Sequence, residues 1–135
     1  MAQDAQTDFA AATAITITIN SVLDGSAATA TAVDLGNPAP FALQVHVTLD
    51  GNSASNVDYV EWYALWSDDN TLFTDANNAQ YLHSTQMNGT TVVEDFFVFP
   101  VNAQYFKLYM INESGDSMLS SGNSAEYREM AVDLA

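Results

Sequence analysis

The chain has 135 residues, with seventeen Asp and Glu against two fixed cations, Lys107 and Arg128, and a formal net charge of −15. That balance excludes a nucleic-acid groove, which needs several bases to displace condensed counterions, and a surface that docks on anionic lipid. The absence of cysteine excludes disulfides, thiolate metal sites and cysteine nucleophiles, while 48% hydrophobic content is enough for one folded domain.

Residues 1–12 are small and polar, with Phe9 the one large apolar group after the initial Met1. They read as an extended arm, followed by a single domain over 13–135. Fully extended, the arm reaches about 40 Å, enough to touch a neighbouring subunit. It has neither the basic nor the apolar region of a signal peptide, so the expectation is a protein made in the cytoplasm that leaves it only by assembly or lysis. From Thr13 the period is two, with Ile15, Ile17 and Ile19 on one face. Asp24-Gly25 marks a turn, 28–35 is a weak strand, and Asn37-Pro38-Ala39-Pro40 breaks it. The next strand, 41–49, alternates cleanly: Leu43, Val45, Val47 and Leu49 inward, Gln44, His46 and Thr48 outward.

The segment 57–66 is the most apolar strand. Val60, Trp62, Ala64 and Trp66 share a face that reads as core, and Tyr59, Glu61, Tyr63 and Leu65 share the other. A polar loop, 67–79, leads to a strand at 80–87. Asn88-Gly89 then predicts a hairpin into 91–99. In 103–112, Phe106, Leu108 and Met110 alternate with Tyr105, Lys107, Tyr109 and Ile111. Strand material closes the chain at 117–121 and 124–134, kinked at Gly122-Asn123. No window has a helical period and no stretch approaches the roughly 18 apolar residues of a membrane span. Eight or so short strands at regular spacing predict an all-β fold, an antiparallel β-sandwich of jelly-roll type, with a closed barrel as the alternative.

Chemistry is sparse. No HExxH, GxSxG, GxGxxG or P-loop pattern occurs, and the expectation is a protein that is not an enzyme. His46 and His83 form a pair only if their strands are neighbours. Glu61 with Glu94 or Asp95 is the best carboxylate pair for glycoside hydrolysis, against the plainer reading of solvated acids. Asp68, Asp69 and Asp75 gather oxygen donors in the 67–79 loop, a candidate Ca²⁺ site, against the plainer reading of Asx side chains bonding their own backbone. No other cofactor is indicated. Tyr59 and Tyr63 offer the start of a sugar-stacking platform or, with Phe9, of a protein interface. Lys107, between Tyr105 and Tyr109, and Arg128, beside Glu126 and Glu129, are expected to meet an acid or an aromatic face.

The stretch 74–132 resembles small structural proteins encoded among the virion genes of tailed bacteriophages. The likeness lies in Met87-Asn88-Gly89-Thr90-Thr91, in the run from Pro100 to Leu108, and in Ser120 to Arg128. It covers a little under half of the chain and implies no catalytic residues. It implies a capsid decoration (cement) protein, assembled in the host cytoplasm onto the virion exterior, with the major capsid protein as partner and a homotrimer as the oligomer. The alternative is a tail-tip, fibre or carbohydrate-binding module, with Ca²⁺ dependence if the acidic loop binds a cation.

Overall fold

The computed structural model describes residues 5–134, with side chains from Phe9 to Ala131. Ten strands follow in order: β1 (Ala5–Phe9), β2 (Thr13–Ile15), β3 (Ala27–Thr29), β4 (Val33–Asp34), β5 (Ala42–Leu49), β6 (Tyr59–Ser67), β7 (Gln80–Gln86), β8 (Val93–Pro100), β9 (Tyr105–Glu113) and β10 (Ser124–Leu134). One 3₁₀ turn, Ala76–Asn78, is the sole helical piece among the described residues.

The strands form two antiparallel sheets. One has the order β1/β2–β10–β5–β8, and the other β3/β4–β9–β6–β7. β1 and β2 run along the same side of β10, and β3 and β4 along the same side of β9. Counted as eight, the strands nest: the first pairs the last, the second the seventh, the third the sixth, the fourth the fifth. That nesting is a jelly roll, and the barrel alternative falls because the two sheets share no ladder.

Alternation dictates the core. β5 sends in Leu43, Val45, Val47 and Leu49, and β8 sends in Phe97 and Phe99. Facing them are Val60, Trp62, Ala64 and Trp66 of β6 and Phe106, Leu108 and Met110 of β9. Trp62 lies 5.9 Å from Phe97, and Trp66 6.1 Å from Phe99, ring centroid to centroid. Such buried aromatics dominate the burial energy of a core this size.

Four segments depart from the sequence reading. Over Ala5–Phe9 the expected arm is a strand on the chain's own β10; residues 1–4 lie outside the described residues. The long strand from Thr13 shrinks to three paired residues, although Ile15 and Ile19 are buried as expected. The 117–121 segment is not a strand and makes one isolated bridge, Gly51 to Met118. The Asn88-Gly89 turn is tight, with Asn88 bridging Thr91, yet β7 and β8 do not form a hairpin. β6 takes β7 and β5 takes β8, so the turn carries the chain from one sheet to the other.

Candidate functional site

The outer face of the β3/β4–β9–β6–β7 sheet carries a row of tyrosines. Cross-strand register aligns Tyr81 of β7, Tyr63 of β6 and Tyr109 of β9, with Thr29 of β3 beyond. The Tyr63 ring is 5.7 Å from that of Tyr81, edge-on at 75°, and 5.9 Å from that of Tyr109, tilted at 58°. Tyr81 is 55% exposed and Tyr59, further along β6, is 40% exposed. Small residues on the β3 edge, Ala27 and Thr29, leave the row open on that side.

A β-bulge makes this row. Trp62 pairs with His83, but the next residue, Tyr63, pairs with Tyr81, so Leu82 is skipped. Strict alternation would put Tyr81, His83 and Thr85 on one face. The bulge turns Tyr81 outward while His83 and Thr85 stay on the core side. For this reason Tyr81 is not visible as a site residue in the sequence, and Tyr109 could not be joined to Tyr63 without the register.

Polar groups flank the rings. Tyr63 donates its hydroxyl proton to Glu61, two residues earlier on the same face. That carboxylate, together with partial burial, pushes the Tyr63 phenol up to about 12. The Tyr81 hydroxyl lies 2.7 Å from Ser84 Oγ. Lys107, opposite Leu65, holds its Nζ 4.3 Å above the ring of Phe73 from the 67–79 loop, which is the aromatic partner expected of it. Arg128 is exposed, and among the described residues it forms no ion pair with Glu126 or Glu129.

The remaining candidates disperse. His46 faces outward on the other sheet, with Nδ1 3.0 Å from Glu126, Nε2 3.5 Å from Glu94, and its ring stacked on Phe96. His83 points to the core side and bonds Asp95. The two histidines are in different sheets and share nothing. Glu61 and Glu94 lie on opposite outer faces, and Asp95 is engaged by His83 and Thr85 at the margin between the sheets. No such pair flanks one glycosidic bond, so the hydrolase pairing is set aside.

In the acidic loop, Asp69 Oδ1 accepts from the N–H groups of Thr71 and Leu72 and from Ser67 Oγ, which holds its carboxyl below the usual range. Asp75 Oδ1 accepts from Asn78 N and Nδ2 and caps the 3₁₀ turn. Asp68 instead lines two adjoining open clefts, of about 380 and 390 Å³, at the end of the sandwich. Among the described residues no three acids or histidines converge to hold a metal. Of the expected interface residues, Phe9 is half-exposed on the β10 sheet, whereas Tyr59 and Tyr63 belong to the tyrosine face of the other.

No protein-family model matches the chain, and no curated protein does. Solved structures similar in fold include two carbohydrate-binding domains. One is the CBM22-1 xylan-binding domain of Paenibacillus barcinonensis Xyn10C, at 11% identity and a TM-score of 0.44, covering 98% of this chain and 96% of that one. The other belongs to the carbohydrate-binding modules of the β-sandwich superfamily, at 12% identity and a TM-score of 0.38, covering 96% of this chain and 56% of that one. The likeness is one of fold, and no residue role is carried across from it.

Proposed function

We propose that the chain is a carbohydrate-binding β-sandwich module that recognises glycans on its tyrosine face. The observation that carries this reading is the aligned row Tyr81–Tyr63–Tyr109 on an exposed sheet surface, with Glu61 and the tyrosine hydroxyls beside it. Sugar rings present apolar C–H faces and a rim of hydroxyls. Aromatic rings take the first, and a carboxylate and phenols take the second. The rings tilt against one another, so the row is corrugated and suits a chain that lies across the strands better than one flat ring. A rigid sheet holds these groups in place before any ligand arrives, which limits the entropy lost on binding.

Affinity electrophoresis against a panel of soluble polysaccharides tests the reading. Retardation by at least one glycan is expected, and Tyr63→Ala or Tyr81→Ala should remove it without changing the melting temperature by more than a few degrees. No retardation by any glycan would sink it.

The virion placement implied by the resemblance, with a major capsid protein as partner and a trimeric oligomer, is a separate proposal. The two combine readily, since a glycan platform on the outside of a particle would hold that particle to a cell surface. Mass spectrometry of purified particles, with copy number, tests the placement independently of sugar binding.

A further inference from the structure

We infer that the glycan bound on the tyrosine face carries no acid groups, and that Glu61 is the residue that enforces this. The inference rests on the carbohydrate-binding reading above. Glu61 is half-buried on β6, between Ile111 of β9 and Ser84 of β7 in the cross-strand register. An ionised carboxylate only accepts hydrogen bonds, and it has about four lone-pair positions to offer. Among the described residues Tyr63 is its one hydrogen-bond partner. The unused positions sit beside the tyrosine row, where a ligand hydroxyl or ammonium group can donate to them.

An acidic sugar meets the opposite situation. Among the described residues no base stands next to Glu61. Lys107, on the same face, has its ammonium over Phe73 and is opposite Leu65, two residues along β6 from Tyr63 and away from Glu61. Arg128 belongs to the other sheet. A carboxylate or sulfate laid across the tyrosines therefore approaches Glu61 without a neutralising partner. It also approaches a chain of net charge −15. Local like-charge contact and the long-range field both oppose it. A neutral or amino sugar meets neither obstacle, and gains a charge-assisted hydrogen bond.

Calorimetric titration of the full chain with xylo-, cello-, chitosan- and alginate-derived oligosaccharides at low salt provides the test. Binding of a neutral or amino oligosaccharide should exceed that of alginate by about tenfold or more. Glu61→Gln should weaken the preferred ligand by about tenfold while strengthening alginate, and added salt should strengthen alginate binding to the unaltered chain. Alginate binding as tight as any other, abolished by Tyr63→Ala, would overturn the selectivity while leaving the sugar-binding reading intact. Unchanged selectivity in a folded Glu61→Gln variant would do the same. Should that variant fail to fold, the low-salt ranking and salt response of the unaltered chain decide the matter. Binding of no sugar of any class overturns both.

Discussion

His83 on β7 and Asp95 on β8 meet across the margin where the two sheets come together, with Nε2 2.7 Å from Oδ2. The same carboxylate oxygen accepts from Thr85 Oγ1 at 2.8 Å, and Thr85 in turn accepts from the buried Trp62 Nε1–H at 3.0 Å. A continuous polar chain thus runs from an edge strand of one sheet into the central strand of the other. It ties together two strands that share no ladder. Asp95→Ala should lower unfolding free energy by about 2 kcal/mol, through lost charge-assisted bonds to His83 and Thr85. Thr85→Val should cost about as much, because it strands the Trp62 N–H in the core. Denaturant midpoints measured at an unchanged slope would check both. A loss below a few tenths of a kcal/mol would show that the chain of bonds is ornamental.

Glu61 and Tyr63 give a second, spectroscopic handle. The Tyr63 phenol is pushed from 10.0 to about 12, first by its hydrogen bond to Glu61, then by burial and charge repulsion. Because the folded value lies above the unfolded one, the neutral phenol stabilises the fold fully below pH 10. That contribution fades as pH rises through about 12. Phenolate absorbance should show a late-ionising tyrosine that vanishes in Tyr63→Phe. Glu61→Gln should move its ionisation back toward the ordinary value. Unchanged late ionisation in Glu61→Gln would mean burial alone sets it. Tyr127, also raised but chiefly by burial, serves as the internal control.

Much of this architecture is legible in the sequence because it follows from alternation. β5 from Leu43 onward and β9 place their core residues where period two puts them, and Trp62 and Trp66 fall on the buried face for the same reason. Pairing partners are less accessible. Asn88-Gly89 reports a tight turn but not that its flanking strands belong to different sheets, since each strand finds a longer partner elsewhere. The site is legible in part. Tyr59, Glu61 and Tyr63 can be assigned a common face from one strand, whereas Tyr81 depends on a bulge at Leu82 and Tyr109 on a non-local register. Neither leaves a local signal. The Asp69 and Asp75 side chains, which look like cation ligands in a list of acids, accept from nearby N–H groups in the fold.

Charge sets the response to acid and salt. At neutral pH a net charge of −15 disfavours the compact state, so added salt should raise the melting temperature. Mild acidification should first help in the same way. Below the ordinary carboxylate value of 3.8 a second effect takes over. Asp116, bonded by Ser53 Oγ and the Ser117 N–H, and Asp69, bonded by the N–H groups of Leu72 and Thr71, are held lower than that value. Their ionised forms stabilise the fold above 3.8, and that contribution is lost as pH falls through the depressed values. Melting temperature against pH should therefore peak on the acid side of neutrality and then fall, with a shallower fall in Asp69→Asn and Asp116→Asn. A monotonic rise to pH 2 would contradict it.

Two glycines separate crowding from backbone strain. A Cβ on Gly51 would lie 2.2 Å from the carbonyl oxygen of Gly89 and 2.9 Å from Asn56 Cβ, and the first of these is main chain that cannot swing aside. Gly25 has a φ of +78°, but a Cβ there meets nothing within 4 Å. Gly25→Ala should therefore cost about 1 kcal/mol, the price of a left-handed conformation alone. Gly51→Ala should cost about 3 kcal/mol or more, since backbone must move to admit the methyl group. The difference is amplified by what Gly51 touches. Asn56 is fully buried, accepts from Ser53 N, and shares its amide between Ser114 Oγ and the carbonyls of Asp116 and Ser117. Displacing it breaks the polar knot that joins the 50–58 and 114–117 loops. Equal losses in the two variants, measured by chemical denaturation, would show that the loop end yields freely and that the knot does not hold it.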